Sequence, residues 1–436
     1  MKKTLLVLVC AILGISTYAQ ETKTHELSLK EAIDFALTNN RSIKSASLGI
    51  EAAEEQKWET TATGLPQINA EVKYQNFLDY PIPDSFIAAS PALAFQLPKQ
   101  QLTPSITLSQ LLFDGSYLVA LQSSKVFLEI SKNAATKTKN QIEVEAIKAY
   151  ANALLIDESI KITQLNKQAL ENNLSEIKQI YENGLTEEEN VEQLELTLAS
   201  LQNNLNRLLQ LKVTSHNVLK VILSLPQDHT IVLKDTLEKM YLTNSALKKQ
   251  KFSYFNNIDV KISENNQKAK ELLYKLEKSR LLPSLSTFIN AGYQGNSQEF
   301  TFFDSSQEWF GSILWGVNLK IPIFSSGAGR SRISRAKINW EIAKNELLTT
   351  QATVNVEIQN AQTELDFALK NYDNKKKSLA LATKIENKNN VKFKEGITSS
   401  FELRQAQVQL YSMQQEYLQA IVDIINKKAA LQNLNK

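Results

Sequence analysis

The sequence predicts a mainly helical chain that contains two copies of one unit, each with long helices and a single β-hairpin. Glycine and proline interrupt helices, and neither occurs in five long stretches of the chain: residues 116–183, 185–225, 227–282, 330–395 and 397–436. The interruptions collect in two windows, residues 64–115 and 283–329. We therefore expect long helices that are broken by two short non-helical inserts.

Apolar residues after Gly184 recur at steps of three and four, which is the spacing of a coiled-coil seam. This first seam consists of Val191, Leu194, Leu198, Leu201, Leu205 and Leu208. A second seam lies 212 residues further along the chain, at Ala406, Leu410, Met413, Tyr417 and Ala420. A helix of about 65 residues would reach roughly 100 Å, which exceeds the needs of a compact globular domain. The spacing thus predicts long antiparallel coiled-coil helices.

The two halves of the chain repeat the same motifs in the same order. "TGLPQINAEVKYQ" (63–75) matches "RLLPSLSTFINAGYQ" (280–294), and "LSQLLFDG" (108–115) matches "LKIPIFSSG" (319–327). The turn "YENGLTEEENVEQ" (181–193) returns as "FKEGITSSFELRQ" (393–405). These matches define repeat 1, residues 20–225, and repeat 2, residues 226–436. The predicted hairpins lie at about 66–113 and 283–324, and the predicted turns lie at Gly184 and Gly396.

Residues 1–19 have the pattern of a secretory signal peptide. Two lysines precede an apolar stretch at residues 5–15, and Ala19 ends a small-residue cleavage site. The only cysteine, Cys10, lies inside this segment and lacks the small residues that lipoprotein processing needs before it. We therefore expect neither a lipid anchor nor a disulfide in the exported chain.

The charge balance argues against a nucleic-acid-binding protein. The chain has 49 Lys and Arg against 46 Asp and Glu, a net charge of +3. Removal of Lys2 and Lys3 with the signal peptide leaves 47 against 46, so the exported chain is near +1. No later stretch approaches 18 consecutive apolar residues, so we expect no transmembrane helix.

Both inserts have the alternation of amphipathic strands. After Pro66, the apolar residues are Ile68, Ala70, Val72 and Tyr74, which alternate with Asn69, Glu71, Lys73 and Gln75. After Pro104, the pattern is weaker, with Ile106, Leu108 and Leu112 against Ser105, Thr107 and Ser109. The second insert sets Ile313, Trp315, Val317, Leu319, Ile321 and Ile323 against Gly316, Asn318 and Lys320.

The length of these runs suits strands that cross an outer membrane, which need about ten residues. Trp309, Phe310, Trp315 and Tyr293 fit an aromatic girdle at the membrane surface. Hairpins on a soluble core alternate in the same way, but the signal peptide and the absence of a predicted sheet-covering layer favour membrane strands. Four strands cannot close a barrel and open edges are excluded from lipid. We expect three copies to pool about twelve strands.

In these features the sequence resembles the TolC-like outer-membrane efflux protein family. The resemblance covers nearly the whole exported chain and is carried by seven segments: the opening helix "LSLKEAIDFALTNNRSIKSA" (27–46), the two strand entries, the two exits "LFDG" and "IPIFSSGAGR", and the two glycine turns. It implies a homotrimer whose β-barrel of about twelve strands lies in outer-membrane lipid and continues into an α-helical barrel across the periplasm. Such proteins are passive exit ducts that work with a periplasmic adaptor and an inner-membrane transporter, here expected to be of the RND type.

The resemblance also assigns roles to residues at the turns. Docking of the adaptor maps to Gly184 and Leu185 in the first turn, and to Gly396 and Ile397 in the second. These four residues are the predicted docking tips.

A carboxylate ring that narrows the entrance in the family maps to Glu402. Its second member falls on Gln405. Asn190 holds the matching place in repeat 1, with Glu189 and Glu192 close by, so the charge count at the entrance stays open. A helix cap also explains Glu402, because the segment 399–402 has the sequence of a capping box, and 186–189 offers the same box. The sequence leaves both interpretations of Glu402 open.

No motif predicts catalysis, a metal site or a cofactor, so the chain is predicted not to be an enzyme. "SSGAGRSR" (325–332) lacks the lysine ending of a phosphate-binding loop, so we expect a bend from strand to helix. The histidines, His25, His216 and His229, lack metal-ligand spacing. Lys394 and Arg404 are expected to be solvated surface charges.

Three functions fit this sequence. The first is an outer-membrane efflux duct that serves a tripartite pump. The second is the same duct in a type I protein secretion system, which only the pump partner would distinguish. The third is a periplasmic coiled-coil scaffold without a pore, in which both inserts are soluble hairpins.

Overall fold

The computed structural model describes residues 23–78, 98–243 and 252–436. The predicted signal peptide and Cys10 lie outside the described residues. The chain divides into two compact units. The helical unit comprises Thr136–Ile258, Thr353–Lys436 and the described residues up to Ser45, and the sheet unit comprises Ala46–Ala135 and Asp259–Ala352.

Repeat 1 runs through a short strand, two helices, a β-hairpin and two long helices. Its elements are β1 (Thr24–Leu27), α1 (Leu29–Asn39), α2 (Arg41–Ala62), β2 (Gln67–Asn76), β3 (Gln100–Asp114), α3 (Gly115–Glu182) and α4 (Glu188–Leu223).

Repeat 2 follows the same order. Its elements are β4 (Thr230–Leu233), α5 (Leu237–Thr243), a 3₁₀ turn (Tyr254–Asn256), α6 (Ile258–Ser279), β5 (Ser284–Ser297), β6 (Trp309–Lys320), α7 (Ala328–Lys394) and α8 (Ser400–Asn433). The predicted mainly helical fold is confirmed, whereas the sequence did not predict the short strands β1 and β4. None of the helices among the described residues has an apolar stretch long enough to cross a bilayer.

In the helical unit, β1 and β4 pair in parallel and hold the start of repeat 1 beside the start of repeat 2. The buried Tyr150 of α3 fastens this pair, since its hydroxyl donates to the Leu27 carbonyl at 2.9 Å and to Asp235 Oδ2 at 3.2 Å. The same carboxylate oxygen accepts from the Leu29 amide at 2.7 Å, at the start of α1. Burial, together with the charge of Asp235, raises the pKa of Tyr150, so the phenol stays protonated and donating.

Most residues of the two predicted coiled-coil seams are buried in the helical unit. Five of the six residues of the first seam are buried, namely Val191, Leu194, Leu201, Leu205 and Leu208. Leu198 is only half-buried, and its neighbour Thr197 is buried instead. In the second seam, Ala406, Leu410 and Ala420 are buried, while Met413 and Tyr417 are half-buried.

The sheet unit contains one antiparallel four-stranded sheet with the order β2-β3-β5-β6. The hairpins of the two repeats therefore meet through β3 and β5. Among the described strands, β2 and β6 each have a partner on one side only, so both are edges.

The cross-strand register separates the two faces of this sheet. One face carries a row of Ile68, Leu108, Ile289 and Trp315, and next to it a row of Ala70, Ile106, Ala291 and Ile313. We call this the apolar face. The opposite face carries Asn69, Thr107 and Asn290, and the Asn290 amide donates to Thr107 Oγ1 at 2.7 Å.

The strand positions predicted for three residues, Ile321, Ile323 and Leu112, are wrong. Strand β6 ends at Lys320, so Ile321 and Ile323 lie beyond it rather than on its apolar side. The register of β3 shifts between Leu111 and Phe113, and Leu112 therefore does not continue the alternation. A strict two-residue alternation in the sequence cannot reveal a single inserted residue of this kind.

The predicted aromatic girdle also needs one correction. Trp309, Trp315 and Tyr293 pair with residues of the apolar face. Phe310 pairs with Gln294 and so lies on the opposite face. Its place follows from the alternation of side chains along β6, in which neighbours point to opposite sides.

Candidate functional site: the helix tips

The first predicted docking tip ends α3 through a Schellman motif. The Leu185 amide donates to the Ile180 carbonyl at 3.0 Å, and the Gly184 amide donates to the Tyr181 carbonyl at 2.8 Å. This closure needs a left-handed residue at Gly184, whose φ is +73°. Glycine adopts that conformation without the steric cost that a Cβ adds.

The second tip ends α7 with the same pair of bonds. The Ile397 amide donates to the Lys392 carbonyl at 2.8 Å, and the Gly396 amide donates to the Phe393 carbonyl at 3.0 Å. The φ of Gly396 is +70°. The two repeats thus use one turn geometry, which explains why the same glycine-centred motif occurs twice.

A shared apolar cluster lies under the two tips. It contains Leu170, Leu174 and Ile177 of α3, Val191, Leu194 and Leu201 of α4, Phe393 of α7 and Leu403 of α8. Leu194 and Leu403 are fully buried. Truncating such a residue to alanine typically costs about 2 to 5 kcal/mol. The cluster therefore holds the ends of all four long helices together within the helical unit.

Asn190 joins the two tips directly. Its Oδ1 accepts from the Ser400 backbone amide at 3.3 Å, and its Nδ2 donates to Thr186 Oγ1 at 2.9 Å. The structure thus brings the start of α4 to the start of α8. Asn190 therefore bonds the two turns to each other, a contact that the sequence did not predict.

Glu402 is exposed in the first turn of α8. The predicted capping box is half formed, because Ser399 is the N-cap and its Oγ accepts from the Glu402 amide at 3.4 Å. Among the described residues, the reciprocal bond from the Ser399 amide to the Glu402 carboxylate is not formed. The carboxylate is therefore available to solvent, which leaves it free for a role at an entrance.

The capping box predicted at 186–189 is wrong. The N-cap of α4 is Glu187, which makes no side-chain cap bond. The Thr186 hydroxyl is occupied by Asn190 instead. A local side-chain bond within the first tip thus replaces the cap that the sequence suggested.

The charged residues near the second tip were expected to be solvated, but Lys394 forms an ion pair and Arg404 is half-buried. Lys394 Nζ contacts Glu176 Oε2 at 2.8 Å in an exposed ion pair. The guanidinium of Arg404 lies 5.6 Å from the ring centre of Phe401. Exposed pairs of this kind contribute at most about 1 kcal/mol. Gln405 is also exposed.

Below the tips, Glu386 of α7 lies near Tyr411 of α8, and both are half-buried. Burial raises the pKa of Glu386. Burial, and secondarily the charge of Glu386, raises the pKa of Tyr411 to about 12. Each group is therefore held toward its neutral form.

Sequence reasoning missed a polar ladder that connects the two repeats. Ser159 Oγ donates to Gln415 Oε1 at 2.8 Å, and Asn166 Nδ2 donates to Gln414 Oε1 at 2.7 Å. Seven residues further along α3, Asn173 Nδ2 donates to Asn390 Oδ1 at 3.4 Å. The signal was present, because residues 159, 166 and 173 recur every seven residues, as side chains of one helix face do.

The remaining sequence motifs, the segment 325–332 and the histidines, can be located in the structure. Gly327 has a φ of +81°, and the Gly329 amide donates to Ser325 Oγ at 3.2 Å, which fits the predicted bend into α7. His25 Nε2 and His229 Nδ1 lie 2.9 Å apart across β1 and β4, although the sequence separates them widely. In the part of the chain that the structure describes, no group of three or more His, Cys, Asp or Glu side chains could hold a metal ion.

The residues that follow each glycine are the most exposed apolar side chains of the tips. Leu185 is 78% exposed and Ile397 is 72% exposed. Burial of such a side chain against a partner contributes about 1.5 to 3 kcal/mol. The two predicted docking positions thus present apolar surface that the helical unit itself does not cover.

Comparisons with known proteins agree with this architecture. Residues 255–435 match the family model described as outer membrane efflux protein. No curated protein sequence matches the chain.

Several solved outer-membrane channels share the fold over almost the whole chain. The outer membrane protein VceC from Vibrio cholerae is 15% identical with a TM-score of 0.72, over 93% of this chain and 96% of that one. The Campylobacter jejuni CmeC outer membrane channel is 18% identical with a TM-score of 0.72, over 93% and 85%. The open state of the Neisseria gonorrhoeae MtrE outer membrane channel is 16% identical with a TM-score of 0.73, over 93% and 88%.

The turn geometry predicts opposite effects of alanine at two kinds of glycine. Gly184→Ala and Gly396→Ala should each lower the free energy of unfolding by about 1 kcal/mol, because the left-handed conformation penalises a Cβ. An added Cβ would meet no atom within 4 Å at either position, so the cost is conformational. Thermal and urea unfolding of the detergent-solubilised protein would measure it.

Gly49 provides the matched control. It lies inside α2 with open space around its Cβ position. Gly49→Ala should therefore raise stability by roughly 0.5 to 1 kcal/mol. Equal effects at all three glycines would contradict the Schellman assignment.

Proposed function

We propose that this chain is a passive exit duct in the outer membrane of a Gram-negative bacterium. Residues 255–435 match the outer membrane efflux protein family model. Most of the chain has the fold of outer-membrane channels. The proposed duct serves a tripartite efflux system with a periplasmic adaptor and an inner-membrane transporter of the RND type. The observation that carries this proposal is the four-stranded sheet with an apolar face and two open edges.

The apolar face suits contact with lipid hydrocarbon. Its residues at the edge strands are largely exposed, as Ile68, Val72 and Ile313 illustrate. Ile313 is 82% exposed. The opposite face carries amides and hydroxyls that suit a wet lumen, such as Asn69 and Thr107. This division is expected of strands that separate lipid from water.

Copies of the chain are needed to close the sheet. In lipid, the unpaired backbone groups of β2 and β6 would each cost several kcal/mol. Neighbouring strands of the sheet are antiparallel, so β2 and β6 run in opposite directions. The β6 edge of one copy can therefore pair in antiparallel fashion with the β2 edge of the next. Three copies would close a barrel of about twelve strands, within the range of known barrels.

The tips are the docking site for the adaptor in this proposal. Leu185 and Ile397 supply exposed apolar contacts on two turns of the same geometry. The Asn190 bond to Ser400 holds the two turns at a fixed spacing. A helical hairpin with an apolar stripe would bury both side chains.

Glu402 lines the entrance of the duct and attracts cations there. It is exposed and its carboxylate makes no cap bond among the described residues. A ring of such carboxylates from several copies would raise the local cation concentration. Gln405 adds no charge, whereas Glu189 and Glu192 supply further acids near Asn190 in the sequence of the first tip.

An arginine on the apolar face should block insertion into the membrane. Ile313→Arg would place a charge in lipid at a cost of about 2 to 4 kcal/mol near the bilayer midplane. Ser312→Arg is the control, since Ser312 pairs with Gly292 on the opposite face. We expect Ile313→Arg to lose outer-membrane protein in fractionation while Ser312→Arg retains it. Equal recovery of both variants would contradict a membrane-spanning sheet.

Conductance tests the duct and the role of Glu402 together. The purified protein should conduct ions in planar bilayers, and Glu402→Gln should reduce cation selectivity at low salt without lowering the melting temperature. Glu395→Gln, an exposed acid of the same turn, is the control. An absence of conductance would favour the pore-free scaffold. A lower melting temperature with unchanged conductance would indicate that Glu402 serves only as a helix cap.

Adaptor binding should depend on the apolar residues at the tips. Leu185→Ser with Ile397→Ser should abolish co-purification of the cognate adaptor, while the stability of the protein changes little because both side chains are exposed. Val408→Ser, at an exposed apolar residue on α8, is the control. Retained adaptor binding in the double variant would exclude this docking site. The pump that co-purifies with the adaptor distinguishes drug efflux from protein secretion.

A further inference from the structure

The loop between β5 and β6 is an ordered segment with three phenylalanines. The loop covers residues 298–308, and the phenylalanines are Phe300, Phe302 and Phe303. Thr301 organises it, because its hydroxyl bonds with Ser297 Oγ at 2.8 Å and with Gln307 Oε1 at 3.1 Å. Gln307 Nε2 also donates to the Asn296 carbonyl at 3.3 Å. We call the three phenylalanines the aromatic cap.

The aromatic cap lies on the apolar face of the sheet. Phe302 is only 3% exposed, and its ring centre lies 6.1 Å from that of Tyr74 and 6.4 Å from that of Trp309. Tyr74 belongs to β2 and Trp309 to β6, so the loop reaches across the width of the sheet. Phe300 extends this contact, with its ring centre 5.8 Å from that of Tyr74.

Gly295 makes room for this arrangement. It pairs with Leu102 and with Trp309, in the same cross-strand row as Tyr74. A Cβ at Gly295 would come within 3.2 Å of Phe302 and 3.1 Å of Trp309. The absence of a side chain there allows Phe302 to pack directly on the strand. The fold of the loop and the sequence of the strand beneath it are therefore matched.

The outer surface of the aromatic cap is apolar and uncovered. Phe303 is 86% exposed and Phe300 is 58% exposed. This surface continues into the apolar face through Tyr74 and Trp309. The opposite face of the sheet lies away from these rings, and there the Gln294 amide donates to Asn296 Oδ1 at 3.1 Å. The loop thus turns its phenylalanines away from the proposed lumen.

We propose that the aromatic cap is an anchor that inserts into the lipid surface at the boundary between headgroups and acyl chains. This inference rests on the proposed membrane position of the sheet. Aromatic side chains concentrate at that boundary, and the internal bonds of the loop satisfy polar groups that lipid could not. The acidic residues Glu299, Asp304 and Glu308 flank the aromatic cap and reach the aqueous headgroup layer. The occupant of this surface is therefore a lipid leaflet rather than a protein or a lumen plug.

Single nitroxide labels can test this placement, because the exported chain has no cysteine of its own once the predicted signal peptide is removed. Phe303→Cys is the test site and Ser305→Cys, an exposed polar position of the same loop, is the matched control. Ile313→Cys reports on the apolar face of the sheet. The labelled full exported chain is reconstituted in vesicles of phosphatidylethanolamine and phosphatidylglycerol. Accessibility to oxygen and to a water-soluble nickel complex is then measured.

The proposal expects the ratio of oxygen to nickel accessibility to be several-fold higher at positions 303 and 313 than at position 305. A label at 303 that behaves like 305, with 313 still in lipid, would overturn the anchor and leave the proposed membrane sheet intact. Labels at 303 and 313 that both report water would overturn both proposals. Gly295→Val gives a second readout, because displacement of Phe302 should lower the oxygen accessibility at 303 toward that of 305.

Discussion

The open edges of the four-stranded sheet are the constraint on which the rest of the structure depends. Strands β2 and β6 each lack a partner on one side, and their exposed apolar residues continue across the sheet to its centre. In water, the apolar face would have no covering layer. In lipid, the backbone groups along the two edges would have no hydrogen-bond partners. In the proposed assembly, identical sheets meet both demands by joining edge to edge inside a bilayer. The even number of strands in each sheet would let every contact between copies remain antiparallel.

In the proposed function, the helix tips divide stability and recognition between different residues. Gly184 and Gly396 set the path of the backbone, and the apolar cluster under them holds the helices together. Leu185 and Ile397 add little to that cluster because they point into solvent. A partner can therefore use these two side chains without competing for contacts that the fold needs. Such separation is expected where a surface must bind and release a partner without unfolding.

The sequence predicted the features that depend on local periodicity. The seam around Leu194 and the alternation around Ile313 are both repeated patterns that a short window contains. It could not predict the pairing of β3 with β5, because the bond between Thr107 and Asn290 joins residues of different repeats. The capping box predicted at Thr186 failed for a local reason, because Asn190, four residues further along the same tip, donates to its hydroxyl. A contact between repeats and a competing local hydrogen bond thus decided what periodicity left open.

The two repeats carry different residues where their tips meet. Asn190 and Glu402 occupy equivalent positions, 212 residues apart. Asn190 uses both ends of its amide, accepting from Ser400 and donating to Thr186. A carboxylate at 190 could accept from the Ser400 amide and from the Thr186 hydroxyl, so bonding capacity alone does not require an amide there. The amide instead joins the two tips without adding a charge, whereas the exposed Glu402 carries one, so the repeats differ here in charge rather than in the geometry of their turns.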